Sequence, residues 1–134
     1  MADPLTCLVA AIFFEARDQP PLGQEMVAQV VMNRVAHPDF PDDVCSVVYE
    51  RKQFSFTHDG LSDDPADYPT YWDRRAQESV TELAQDYLMG QTTGNTSTHY
   101  HTLSVGPVWR THYTVDGIVG DHIFYTCSSS LRNC

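Results

Sequence analysis

The sequence predicts an α+β fold: a mainly helical N-terminal body followed by a small antiparallel β-sheet formed by the C-terminal half. Two observations carry this. Apolar residues recur at helical spacing as far as Gly90, whereas the later stretches Thr98–Thr102, His112–Val115, Ile118–Val119 and His122–Tyr125 are β-branched and aromatic. Helices first and strands collected late is the α+β order, and no repeat or low-complexity linker interrupts it. A single domain over residues 1–134 is therefore expected, long enough to bury a core without metal or disulfide support.

Asp3 is a suitable N-cap and Pro4 a suitable first helical residue, so the first helix is expected from about Pro4 to Arg17, where Asp18-Gln19-Pro20-Pro21 stops it. Leu5, Leu8, Val9, Ile12, Phe13 and Ala16 form its packing stripe, and the 3.6-residue period puts Glu15 at the edge of that stripe. The second helix is expected over about Leu22–Ala36, with Val27, Val30, Val31 and Val35 inward and Glu25, Gln29 and Asn33 on a polar stripe. Asp43 caps a short helix to about Tyr49. A long acidic loop follows, around Asp59 to Pro69. The last helix is expected over about Thr70–Met89, ended by Gly90, and Asp116-Gly117 reads as the two-residue turn of a hairpin.

Lys and Arg number 8 against 18 Asp and Glu, a net charge of −10, which opposes nucleic acid and anionic membrane surfaces. An uncharged or carbohydrate substrate fits better. No apolar run reaches the roughly 18 residues of a membrane helix, and the N-terminus lacks a basic signal-peptide region. Cys7, Cys45, Cys127 and Cys134 are too scattered for a metal ribbon. Cys7 reads as a core thiol, Cys127 and Cys134 bracket a Ser-rich tail that a disulfide could close, and the pairing is open.

Glu15 is the candidate for chemistry. Half-burial disfavours the charged carboxylate, and a carboxyl kept protonated near neutral pH can give a proton to a leaving oxygen. The plainer alternative is a boundary glutamate that ends a helix in water. His99 and His101 share a strand face, and with His112, His122 or Cys127 they could hold a metal, although the spacing matches no strong metal motif. No Gly-x-Ser-x-Gly elbow is present. Phe54, Phe56, Tyr68, Tyr71, Trp72, Tyr100, Trp109, Phe124 and Tyr125, with the amides of Gln29, Asn33 and Gln53, are the mixture that binds sugars: ring faces for C–H faces, amides for hydroxyl and N-acetyl groups.

Several blocks in order carry a family resemblance: Ala11-Ile12-Phe13-Phe14-Glu15-Ala16-Arg17, Gly23-Gln24, Val27 through Val35, Phe40-Pro41, Val44 through Tyr49, Gln53 through Thr57, Thr98 through His101, Pro107-Val108-Trp109 and Ile118 through Tyr125. Over about residues 5–125 the chain resembles the SleB-type cell-wall hydrolases of spore-cortex lysis, with 126–134 a short tail. It departs from the pattern at Phe56, where tryptophan is expected, and at Asp18, where glycine is common. The resemblance implies a lysozyme-like domain that cuts peptidoglycan between N-acetylmuramic acid and N-acetylglucosamine, with Glu15 as the one essential glutamate. Substrate contacts are expected from Gln29, Asn33, Gln53, Phe54, Ser55, Tyr100, His101, Trp109 and Tyr125.

A lytic transglycosylase or a muramidase, needing no metal or cofactor and acting as a monomer on glycan strands at the bacterial wall, is the expectation. A phage endolysin held in the host cytoplasm until a holin releases it fits a chain without an export signal. The rivals are a zinc-dependent amidase or peptidase built on His99 and His101, and a non-catalytic wall-binding module.

Overall fold

A computed structural model describes residues 3–50, 54–106 and 113–127, apart from the side chains of Ser55 and His58. Helix α1 spans Pro4–Ala16, α2 Pro21–Ala36, α3 Val44–Val48 and α4 Tyr71–Leu88; strands β1, β2 and β3 span His99–Thr102, Thr114–Val119 and His122–Thr126. The caps act as their chemistry requires. Asp3 accepts from the Thr6 amide at 2.8 Å, Asp43 from the Ser46 amide at 2.9 Å, and Thr70 from the Asp73 amide at 3.1 Å. Gly90 follows α4 with φ +109°, a conformation that releases the chain from the helix.

The α+β order is as expected, but α1 is more central than one stripe implies. It packs against α2, α3, α4 and the short 3₁₀ turn Pro65–Asp67. Cys7, Ala10 and Ala11 are therefore buried together with Leu8, Ile12, Phe13 and Ala16, while Leu5 and Val9 are only partly covered. Small residues on the second face let neighbouring helices approach, and an apolar period alone does not reveal that. Cys7 is not a core thiol. It is joined to Cys45 of α3, with the Cα atoms 5.3 Å apart, and Cys127 is also disulfide-bonded.

The sheet is antiparallel in the order β1-β3-β2. Asp116-Gly117 is not its turn. The two residues lie inside β2 at a bulge between Val115 and Gly117, and Gly120-Asp121 makes the connection to β3. The Asp116 carboxylate accepts from Ser97 Oγ and Thr126 Oγ1, both at 2.6 Å, which fixes the bulge by side-chain bonds across the sheet. Phe124 and Tyr100 carry the sheet onto Ala16, Met26, Val27 and Val30, so it covers the end of α1 and the middle of α2. The acidic loop is shaped by its own carboxylates: Asp59 accepts from the Leu61 amide at 2.9 Å and Asp64 from the Ala66 amide at 3.0 Å.

Candidate active site

Glu15 stands in the last turn of α1, where the apolar face passes under the sheet. Strand alternation sends Tyr100 of β1 to the helical side, and its hydroxyl donates to Glu15 Oε1 at 2.6 Å. Burial pushes the Glu15 carboxyl above its ordinary range, against the Tyr100 hydrogen bond and the Arg34 charge, which both pull it down. The phenol itself is held well above its ordinary value by burial, then by the Glu15 charge and the bond to it, so it remains a donor. The result is a protonatable carboxyl with a fixed orientation.

Arg34 is the cation of this site and was not among the expected contacts. Only 4% exposed, it donates from Nε to the Thr98 carbonyl at 2.7 Å, and its guanidinium lies 4.9 Å from the Phe40 ring centre and 5.8 Å from that of Phe54. Burial lowers its proton affinity, and Tyr100, Glu50, Tyr113 and Glu15 oppose that shift. A signal for it exists in the sequence: position 34 continues the Val27–Val30–Val31 stripe, and a charge on an apolar stripe calls for partners. His122 was also missed as part of the site. It is buried, its ring meets that of Tyr100 edge-on at 5.0 Å, and burial lowers its proton affinity.

The other expected residues divide. The Phe54 ring is 1% exposed and packs 6.5 Å from Tyr100, so it supports the site from below instead of facing a sugar. The amides of Gln29 and Asn33 are occupied by the strand-leading segment. Gln29 Oε1 accepts from Thr93 N and Thr92 Oγ1, both at 2.8 Å; Gln29 Nε2 donates to Asn33 Oδ1 at 2.9 Å; and Asn33 Nδ2 donates to the Ser97 carbonyl at 2.8 Å. The polar stripe of α2 thus binds the chain's own backbone and positions β1. His101 and Tyr125 lie on the opposite sheet face from Tyr100, stacked with ring centres 5.3 Å apart and joined at 2.8 Å. Gln53 and Trp109 lie outside the described residues, as does the Ser55 side chain.

Phe14, next to Glu15 in sequence, stacks on Phe56 at 5.0 Å and meets Tyr68 at 5.3 Å, an aromatic cluster in which Phe56 occupies the position expected for tryptophan. Arg17 turns away from Glu15 to pair with Asp73 at 3.3 Å. On the other side, a cavity of about 330 Å³ is lined by Thr102, Leu103, Ser104 and Asp121. Among the described residues no three His, Cys, Asp or Glu side chains gather as a metal site. Cys127 is in a disulfide and His122 faces Tyr100, which removes two of the third ligands considered for His99 and His101.

A family model described as Cell Wall Hydrolase matches residues 18–125. The chain belongs to that family. The matched stretch begins three residues after Glu15. This cell wall hydrolase is 32% identical over 120 residues to the spore cortex-lytic enzyme of Halalkalibacterium halodurans, covering 87% of this chain and 33% of the relative. It is 30% identical over 117 residues to the spore cortex-lytic enzyme of Oceanobacillus iheyensis, covering 85% and 38%. The chain thus spans little more than a third of the length of these curated relatives. Among solved structures it is similar to the catalytic domain of the germination-specific lytic transglycosylase SleB from Bacillus anthracis, with a TM-score of 0.72, 25% identity, and 92% and 93% of the two chains covered. The fold is the lysozyme-like one of that domain.

Proposed function

We propose that this cell wall hydrolase cuts the glycan of peptidoglycan between N-acetylmuramic acid and N-acetylglucosamine, with Glu15 as both acid and base. The observation that carries the reading is the Glu15–Tyr100 pair: a carboxyl raised by burial and aimed by a phenol at 2.6 Å. Protonated Glu15 gives its proton to the glycosidic oxygen as the C1–O bond breaks. The resulting carboxylate then takes the proton of the muramic 6-hydroxyl while that oxygen bonds to C1, closing a 1,6-anhydro ring. Water in place of the 6-hydroxyl would leave a reducing end at the same site.

A two-carboxylate glycosidase needs its partner about 5–9.5 Å away. Of the loop acids, Asp59 and Asp64 are engaged by amides of their own turns, and the charge acting on Glu15 is that of Arg34. The substrate's own N-acetyl oxygen supplies the stabilisation of the oxocarbenium-like centre in glycosidases that lack a second carboxylate. The transglycosylase outcome is favoured over hydrolysis by the likeness to a solved lytic transglycosylase domain.

The test is mass spectrometry of soluble fragments from purified peptidoglycan treated with the native chain and with Glu15→Gln. Anhydro-muramic ends from the native chain, reduced at least about a hundredfold in the variant, are expected for loss of a general acid. Equal yields from both proteins, or fragments with new peptide amines, would overturn the reading.

A further inference from the structure

Tyr71 and Trp72 open α4 with their rings largely in solvent. Tyr71 is 63% and Trp72 77% exposed, and the rings meet edge-on with centres 5.0 Å apart. Ala76, Val80 and Ala84 of the same helix turn inward, whereas these two rings do not. Contiguous exposed apolar surface rimmed by polar residues is the kind that marks contact sites. The two residues are tied to the end of α1 by one ion pair: Asp73, the next residue, is the partner of Arg17, whose side chain turns away from Glu15.

Charge adds a second, independent observation. In a chain with a net charge of −10, Arg74 and Arg75 are both exposed beside this pair. Arg75 is one turn from Tyr71 and has its guanidinium 6.0 Å from that ring centre. Glu78 lies one helical turn beyond them, four residues from Arg74 and three from Arg75. Aromatic faces next to cations suit a ligand that is carbohydrate along its length and carries carboxylates at its branches. Peptidoglycan has that chemistry, because acidic peptide stems hang from every other sugar.

We infer that Tyr71 and Trp72 form a glycan subsite away from Glu15, at the start of α4, and that Arg74 and Arg75 hold the acidic stem of the sugar bound there. The inference rests on the proposed glycan cleavage, and binding separates the two. The experiment is sedimentation of Glu15→Gln protein with purified peptidoglycan, intact or stripped of stems by an amidase, in parallel with Glu15→Gln/Trp72→Ala, Glu15→Gln/Trp72→Phe and Glu15→Gln/Arg74→Ala/Arg75→Ala.

Trp72→Ala is expected to weaken binding to both forms about tenfold, the size of one lost ring contact. Trp72→Phe restores most of it. The double arginine variant binds less well to intact peptidoglycan alone. Unchanged binding by Trp72→Ala, or a Phe variant as weak as the Ala one, overturns the subsite; equal losses on both substrates for the arginine variant overturn the stem contact. A native chain that releases no glycan fragments overturns the cleavage reading and the subsite with it, whereas cleavage with unaffected Trp72→Ala binding removes the subsite alone.

Discussion

Glu15 is aimed by a neighbour that lies 85 residues away in the chain. Burial raises its carboxyl, and the Tyr100 hydroxyl and Arg34 charge restrain that rise. In the proposed first step the protonated form gives the proton, so activity is expected to fall as pH rises through the Glu15 value, which lies above that of an ordinary carboxyl. Tyr100→Phe keeps the ring against His122 and Phe124 but removes one of the two restraints, since the hydrogen bond favours the charged carboxylate. The alkaline limb of its kcat/KM profile is therefore expected to move to higher pH, with kcat about tenfold or more lower from lost orientation. A limb that stays in place or moves down would show that the phenol does not set the acid. Sequence made Glu15 visible through its period; its phenol partner was only one of several polar candidates, because proximity across 85 residues has no local signature.

Among the elements, the β2–β3 hairpin shows what local signals can and cannot specify. Asp-Gly is a strong turn dipeptide, and by that rule Asp116-Gly117 should reverse the chain. Tertiary bonds decide otherwise: Ser97 and Thr126 hold the Asp116 carboxylate within the sheet, and the tip moves to Gly120-Asp121. There Gln19 receives the Asp121 amide at 2.9 Å and donates to its carboxylate at 3.0 Å. A Cβ on Gly120 would fall inside contact with Gln19 Oε1 and the Pro20 ring, at φ +59°. Gly120→Ala is thus expected to cost about 1–3 kcal/mol in denaturant unfolding, whereas the same change at a glycine whose φ alanine accepts would stabilise by about 0.4–1 kcal/mol. An unchanged midpoint would mean that the tip is not clamped. The helices were legible to within one or two residues because their caps and periods are local, whereas Gln29 and Asn33 on the polar stripe of α2, expected to meet substrate, anchor residues 92–97.

For the whole molecule, the Cys7–Cys45 bond joins the central helix to α3 across 38 residues. Chain-entropy arguments give such a cross-link about 4 kcal/mol, and Cys7→Ala/Cys45→Ala is expected to lose about 2–5 kcal/mol in equilibrium unfolding. A loss under 1 kcal/mol would show that helix packing alone fixes α3. Sequence left the pairing open because three pairings of four cysteines are possible and the fold is what brings two of them within reach. The same long-range logic governs the order in which the protein is made. The first helix, with its glutamate, emerges from the ribosome early, but the phenol that aims it arrives 85 residues later and only as part of a finished sheet. Until then the carboxyl lacks the donor that aims it, so a nascent or truncated domain carries the acid without its orientation, and the proposed wall-cutting activity is withheld until the sheet is in place.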